Sequence, residues 1–370
     1  MISTVIAGTG RDAVSANVSP ERQRLGRLLI RAATLVLGVL IAGQLLCAAG
    51  YTSIGFSTWM PVLVAYALWG VALCAGLIVS KGEPGWRALF VLPAILFTLA
   101  LVIFPTFFGL FIAFSDWNLQ SAGGRTFNGL DNFYQLINDE YFWNALLNMV
   151  FYVASVLVQY AIAFGLALLL NADIKAQKFF RVAFLLPFML SPVAVSWMIG
   201  KSMLEFRFGP VTNLLRWLGW DSPSLLTSPW LAKTTIALMD AWVWIPFMMI
   251  LILAGLQALS KEVQEAAKVD GATGWQGFWE ITFPLMLPVS VTTMVLRIIF
   301  QLKLADIVIN TTAGGPGGAT DTISSYIFRV YKDRSNVGYG TMIAEVYLII
   351  IIIFIALLLW GTSRFMQRHD

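Results

Sequence analysis

Long runs of apolar residues, separated by short polar segments, are the main pattern of the chain. A membrane-spanning helix needs about 20 predominantly apolar residues. The last run is the most apolar, with no charged residue between Tyr347 and Trp360. The pattern predicts eight spans, at 28–50, 58–80, 87–114, 143–170, 180–200, 231–256, 286–306 and 340–362.

The polar segments predict the orientation, because cytoplasmic loops carry an excess of Lys and Arg. With the N-terminus inside, the inner segments hold 13 basic residues and the outer segments hold six. We therefore expect both termini to be cytoplasmic. The first span follows a basic N-terminus and is too long for the apolar region of a signal peptide, so we expect it to be retained.

Composition supports a membrane protein and argues against several other classes. Hydrophobic residues make up 58% of the chain and charged residues 12%, against about 25% charged in soluble domains. Cys47 and Cys74 lie in apolar runs, which favours small buried hydrophobes over a disulfide or metal pair. The single histidine, His369, argues against His-based catalysis or a His-rich metal site. The scattered basic residues predict no nucleic-acid binding.

One inner segment, 257–284, differs from an ordinary short basic loop because it is long, mixed in charge and helix-prone. The residues around Glu265 favour a helix, and Gly271 falls where that helix should stop. A second helical stretch at about 275–280 leads to Pro284 at the membrane. The pattern predicts a helix–Gly–helix elbow on the cytoplasmic surface, a shape that suits docking of another protein.

The spacing within this elbow resembles the EAA loop of binding-protein-dependent ABC importer permeases. The chain has Glu265-Ala266-Ala267, three residues, Gly271, nine residues, and then Ile281 to Pro284. The family pattern ends in I-x-L-P, so Phe283 is a mild apolar departure from it.

Outer segments resemble the carbohydrate-uptake branch of the family, of the maltose and glycerol-phosphate type. The resemblance covers about 87–365 and implies an all-α membrane protein, a polytopic bundle of about eight transmembrane helices. It predicts a six-helix permease core at 87–365. The apolar pattern and the loop charges predict a cytoplasmic tail at 1–27 and two additional helices at 28–86, which are a departure from the six-helix core. The segments that carry the resemblance are 111–117, 127–133, 314–316 with Thr320, 326–328 and 338–340.

The resemblance implies that the elbow is the coupling helix, which contacts a cytoplasmic ATP-binding subunit. Glu265, Ala266, Ala267 and Asp270 would contact that subunit, and Gly271 would supply the bend. Small residues permit close backbone approach, and a carboxylate can pair with an arginine. The chain has no P-loop of its own, so we expect no cofactor here, with ATP and Mg bound by partners.

Two ionisable residues inside spans are candidates for function, because such residues are costly in a bilayer. Asp240 and Arg297 are predicted at about 14 Å and 18 Å from the opposite ends of their spans, using 1.5 Å per helical residue. Asp240 could pair with Arg297 or with Lys303. The pair could either fix helix packing or line a polar cavity for a hydroxylated solute.

Neighbouring aromatic and polar groups could bind such a solute by ring stacking and hydrogen bonds. In the resembled family the solute cavity is lined by these two helices and the preceding span. Other polar residues in the fourth span, Asn144, Asn148, Tyr152 and Gln159, are more consistent with bonding between helices than with solute contact. The candidate solute-binding residues are Asp240, Trp242, Trp244, Arg297, Phe300, Gln301 and Ser191.

Together these features predict the transmembrane permease subunit of an ATP-driven importer for a carbohydrate, and not an enzyme. The expected partners are a second homologous permease, two ATP-binding subunits, an extracytoplasmic solute-binding protein and the lipid bilayer. The expected location is a bacterial or archaeal cytoplasmic membrane. The alternative is an ion-coupled secondary transporter that uses Asp240 as its coupling carboxylate, which leaves the elbow unexplained.

Overall fold

The computed structural model describes residues 18–48, 55–56, 58–121, 123–172 and 175–366, which are predominantly helical. Two short strands, β1 (Ser115–Asp116) and β2 (Thr126–Phe127), pair antiparallel. The helices are α1 (Pro20–Ala48), α2 (Met60–Lys81), α3 (Glu83–Thr98), α4 (Phe104–Ala113), α5 (Asp131–Ile137), α6 (Glu140–Asn171), α7 (Gln177–Met189), α8 (Pro192–Val195), α9 (Pro210–Trp217), α10 (Pro229–Ala258), α11 (Lys261–Val269), α12 (Gly274–Gln276), α13 (Phe283–Gln301), α14 (Asp306–Thr311), α15 (Ile323–Lys332) and α16 (Val337–Met366).

Seven helices in the described residues are long and apolar enough to cross a membrane. A bent helix pair supplies an eighth span if it is counted as one. The seven are α1, α2, the continuous helix containing α3 and α4, α6, α10, the continuous helix containing α12 and α13, and α16. The predicted polytopic helical membrane fold is therefore confirmed.

The fifth predicted span, 180–200, is not a straight helix. After α7 the chain turns by 92° before α8 and the π-helical segment that continues to Met203. Leu190 and Ser191 are extended at the turn, with ψ of 141° and 137°. Pro192 follows, and a proline disfavours helical backbone in the residue before it. The bend falls within the predicted span because this local steric effect interrupts an otherwise apolar helix.

The seventh span lies earlier in the chain than the predicted 286–306. Its helix starts at Gly274, passes through a π-helical segment at Gly277–Thr282 and ends at Gln301. The second arm of the elbow, predicted as a short helical stretch leading to the membrane, is therefore continuous with this span. Pro284 does not interrupt the helix because it occupies the first turn of α13, where a proline fits the backbone.

A third π-helical segment, Leu99–Ile103, joins α3 to α4 within the third span. The Phe104 N–H donates to the Leu99 carbonyl, five residues earlier. Pro105 follows and has no N–H to donate, so the local helical bonding pattern is already disturbed at this point. The span continues as one apolar helix from Gly85 to Ala113.

The chain divides into two compact units between Phe108 and Gly109. Within the first unit α3 packs on α2. One bond of this packing joins the Tyr66 hydroxyl to the Leu96 carbonyl at 2.8 Å.

Close packing also joins α1 to α2 in the first unit. A Cβ atom added to Gly26 would lie 2.5 Å from the carbonyl oxygen of Gly76, so the two backbones approach more closely than any side chain would permit. Small residues allow this kind of contact between membrane helices.

The second unit is built around α6, α10 and α13, which pack on one another. Ala163, Ala167, Met248 and Ile252 are fully buried between α6 and α10. Gly255 lets α13 approach α10, since an added Cβ would lie 2.8 Å from the Met286 methyl carbon. This three-helix core carries most of the polar residues discussed below.

Candidate functional site

A buried polar cluster joins the three central helices. The Arg297 guanidinium of α13 is ion-paired with the Asp240 carboxylate of α10. Gln159 of α6 completes the cluster: its amide nitrogen donates to Asp240 Oδ2 at 3.1 Å, and its amide oxygen accepts from Arg297 Nε at 3.1 Å. Asp240 and Arg297 are 1% and 0% exposed. Of the two partners predicted for Asp240, Arg297 forms the ion pair, while Lys303 is exposed.

Some polar atoms beside this cluster have no hydrogen-bond partner among the described residues. They are Arg297 Nη1 and both amide atoms of Gln301, whose side chain is 0% exposed. Gln301 lies one helical turn beyond Arg297, so both side chains occupy one face of α13. Unmet donors and acceptors are costly in an apolar interior, and these atoms are therefore candidates for a hydrogen bond to a hydroxyl group or a water molecule.

An aromatic cluster lies against the same arginine. The Arg297 guanidinium carbon is 5.0 Å from the centre of the Trp244 ring. Phe300 stacks on Trp244 at 4.8 Å between ring centres, and Phe188 and Phe247 contact it edge-on at 5.7 and 5.8 Å. The cluster joins α7, immediately before its bend, to α10 and α13.

Two of the predicted solute residues are not part of these contacts. Trp242 is 39% exposed and makes none of the ring contacts found for Trp244 in the described structure. Ser191 is exposed at the bend of the fifth span. Gln159, which the sequence predicted to bond between helices, bonds to Asp240 and Arg297 on two neighbouring helices. The sequence did not indicate these partners, because they depend on how three helices pack.

The polar residues of the outer half of α6 bind a loop rather than a neighbouring span. Asn144 donates to the Gly318 carbonyl at 2.7 Å. Asn148 donates to the carbonyls of Gly318 and Asp321 at 3.1 and 2.9 Å, and the Tyr152 hydroxyl donates to the Thr320 carbonyl at 3.2 Å. These bonds hold residues 312–322 against α6. We call this segment the outer loop, after the side on which the distribution of Lys and Arg predicts it to lie.

The outer loop also carries an ion pair that the sequence did not predict. Asp321 pairs with Arg329 of α15 and accepts a hydrogen bond from Ser325 at 3.0 Å. Burial raises the pKa of the Asp321 carboxyl, while Arg329 and Ser325 oppose that rise. The loop is thus fixed both to α6 and to the helix that follows it.

The inner elbow has the predicted bend. α11 ends at Val269, and Gly271 has a φ of +82°, a left-handed conformation that favours glycine. The second arm then begins with a capping box, in which Thr273 and Gln276 bond each other's side chains and backbone. The turn is therefore defined by local bonds on both sides.

The surface of the elbow is open. Glu265, Ala266, Asp270 and Gly271 are exposed, and Ala267 is half-buried. Beside them lies a groove of about 560 Å³ between the elbow and the inner ends of α6 and α10. Its lining includes Ala267, Ala272, Gly274 and Trp275 as well as residues of α6 and α10.

These features are those of a polytopic helical membrane protein with an exposed elbow between two central spans. The family described as "Binding-protein-dependent transport system inner membrane component" matches residues 72–367. The chain belongs to this family of ABC transporter permeases. The match identifies a transport component of the inner membrane, not a catalytic subunit.

Relatives and solved structures agree with this assignment. The chain is 31% identical to the trehalose/maltose transport system permease protein of Thermococcus litoralis over 267 residues, covering 72% of this chain and 90% of that protein. It is 33% identical to the lactose transport system permease protein of Rhizobium radiobacter, covering 72% and 90%. A bacterial ABC transporter involved in the import of the acidic polysaccharide alginate is similar in structure, with a TM-score of 0.66, 25% identity and coverage of 75% of this chain and 95% of that chain.

The comparisons support the prediction of an importer permease and not the ion-coupled alternative. In the described residues Asp240 is also engaged by an arginine and a glutamine. No three His, Cys, Asp or Glu side chains in the described ranges gather into a metal site.

Proposed function

We propose that the chain is the transmembrane permease subunit of an ATP-driven importer for a carbohydrate, such as a sugar, an oligosaccharide or a polyol. The observation that carries the proposal is the exposed elbow with its intact Glu-Ala-Ala and Gly spacing between two central spans. The names of the maltose and lactose relatives support a carbohydrate as the solute.

The proposed assembly contains a second homologous permease, two cytoplasmic subunits that bind ATP and Mg, and an extracytoplasmic binding protein that delivers the solute. A bacterial alginate ABC transporter of similar fold has been solved in complex with a pentasaccharide-bound periplasmic protein, which supports the last of these. The distribution of Lys and Arg supports cytoplasmic termini. The elbow then lies on the cytoplasmic side.

In this proposal the elbow transmits movement from the ATP-binding subunits to the spans. Glu265 and Asp270 supply carboxylates for basic partners, and Ala266 and Ala267 allow close approach. Because the second arm is continuous with α13, a shift of the elbow moves the helix that carries Arg297 and Gln301. ATP binding thereby acts as a ligand that shifts a two-state permease.

Co-purification tests the elbow. The solubilised wild-type chain is expected to bring down a P-loop ATPase and a second permease, as identified by mass spectrometry. Glu265→Lys should release the ATPase while retaining the permease. Glu262→Lys, also exposed on α11, is the matched control and should retain both. Equal recovery of the ATPase with wild type and Glu265→Lys would refute this role.

The proposed solute site uses the unmet groups of Arg297 and Gln301 together with the rings of Trp244 and Phe300. The Arg297 charge is balanced by Asp240, which favours a neutral hydroxylated solute over a strongly charged one. Trp242 and Ser191 lie outside these contacts and would join the site when α7 and α10 move.

Uptake measurements test this site. Gln301→Leu removes both amide atoms at similar volume, and we expect solute uptake to fall about tenfold if one good hydrogen bond of about 1.4 kcal/mol is lost. Assembly with the ATPase should be unchanged. Lys303→Ala, at an exposed neighbouring position, is the control. If Gln301→Leu takes up solute at the wild-type rate, Gln301 is not part of the solute site.

A further inference from the structure

α9 is a short helix in a segment predicted to lie on the outer side. Its apolar face is exposed and a polar side chain is buried, the reverse of the arrangement in a helix that borders water. Leu214, Trp217 and Leu218 follow the spacing of one helical face, and they are 54%, 81% and 66% exposed. Thr212, on the opposite face, is fully buried. α9 is not one of the spans, so crossing the membrane does not account for this apolar surface.

The helix is a well-defined element, not an irregular part of a loop. Pro210 occupies its first turn, a position that suits proline. At its end, Gly219 has a φ of +95° and its N–H donates to the Arg216 carbonyl, while the Trp220 N–H donates to the Leu215 carbonyl. These two bonds form a Schellman motif. The apolar face is therefore held in one orientation.

The polar side chains near α9 are held at its flank. Arg216 donates to Asn213 Oδ1 at 3.0 Å, and its guanidinium carbon lies 4.9 Å from the centre of the Phe206 ring. The preceding turn is closed by Glu205, which accepts a hydrogen bond from the Phe208 N–H at 2.8 Å. Among the described residues, no polar side chain therefore covers the exposed face formed by Leu214, Trp217 and Leu218.

We propose that α9 is an interfacial helix whose Leu214, Trp217 and Leu218 face rests on the outer leaflet of the bilayer. The helix packs on the π-helical end of the bent fifth span, and α10, which crosses the membrane, begins shortly after it. The face therefore continues the apolar surface of helices that are themselves in lipid.

The residue types around α9 also fit contact with the lipid bilayer. Trp217, Trp220 and Trp230 are all exposed, and tryptophan is enriched where membranes meet water. Four basic residues and two acidic residues lie between 201 and 233. A helix with an apolar face and basic neighbours fits an interface with lipid head groups. The segment then serves as a fixed outer anchor, unlike a loop presented to a binding protein.

Spin-label accessibility tests the proposal in the whole transporter, reconstituted in nanodiscs of phosphatidylcholine and phosphatidylglycerol. In a Cys47→Ala, Cys74→Ala background, a nitroxide is attached to Trp217→Cys and, separately, to Leu214→Cys. The water reference is Ser121→Cys, at an exposed position of another outer loop, and spin-labelled lipids calibrate depth. We expect collisions with oxygen relative to a water-soluble nickel complex to be several-fold higher at 217 and 214 than at 121.

Two results would overturn the proposal. If the ratio of oxygen collisions to nickel-complex collisions at 217 and 214 equals that at 121, this face lies in water. Low collision rates with both reagents would instead indicate that protein covers it, either a second permease or a binding protein. The measurement uses no solute or ATP, so its outcome is independent of the proposed carbohydrate import.

Discussion

The inner elbow and the outer loop are the two connections next to α13, and they are built in opposite ways. Thr320, Asp321, Thr322 and Ser325 at the outer loop are buried, and three side chains of α6 bond to the loop carbonyls. The elbow is exposed, and its bonds are local: the left-handed Gly271 and the capping box of the second arm.

This difference indicates where each connection finds its partner. The outer loop satisfies its polar groups within the chain, so its position is part of the fold. The elbow has a defined shape and little internal contact, which is the arrangement expected of a surface completed by another subunit. Changes to the outer loop should therefore reduce stability, and changes to the elbow should reduce coupling.

The largest expected effect is that of Asp321→Ala. It leaves Arg329, whose side chain is only 27% exposed, without its ion-pair partner. Breaking a buried pair costs about 3–5 kcal/mol, and we expect about 3 kcal/mol here. The thermal unfolding midpoint of the purified protein in detergent should fall accordingly. Asp333→Ala, at an exposed position after α15, should leave the midpoint unchanged; equal loss in both variants would contradict the prediction.

The next effect is that of Asn148→Ala. Asn148 donates to two loop carbonyls, and leaving buried acceptors unpaired should lower stability by about 2 kcal/mol. Asn144 donates to one carbonyl from a half-buried position, so Asn144→Ala should cost about 1 kcal/mol. The same unfolding measurement compares them. A larger loss in Asn144→Ala would show that the loop is held differently.

The smallest effect on stability should come from Gly271→Ala. At a φ of +82° an added Cβ costs about 1 kcal/mol, which the exposed elbow can relieve by changing its bend. We expect ATP-driven uptake to fall while the free energy of unfolding stays within about 0.5 kcal/mol of wild type. Gly277→Ala is the matched control, since Gly277 has a φ of −59° and open space around it. Unchanged uptake in Gly271→Ala would show that coupling does not depend on the bend at Gly271.

The sequence predicted the elements that depend on local pattern. Apolar runs of sufficient length are evident without tertiary structure, and the spacing from Glu265 to Gly271 predicted the elbow. The structure departs from the predicted spans where local backbone rules act against the apolar pattern. Pro192 turns the fifth span by 92°, and the seventh helix begins at Gly274, before the apolar run.

The candidate site was predicted only in part. Asp240 and Arg297 stood out because charged residues in apolar runs are costly, and the structure joins them. Gln159 was predicted to bond between helices, but not to bond Asp240 and Arg297. The aromatic contacts of Phe188 and Phe247 were not predicted, since these residues are ordinary within their own helices.

The sequence by itself determined that this is a polytopic helical membrane protein, because span length is a property of short segments. The elbow spacing, also local, carried the resemblance to a permease family. Tertiary structure decided which polar groups meet: Gln159 with Asp240 and Arg297, and Asn148 with the outer loop. The physical reason is that helical periodicity defines the face on which a residue lies. The rotation and height of each helix relative to its neighbours depend on packing across the whole core.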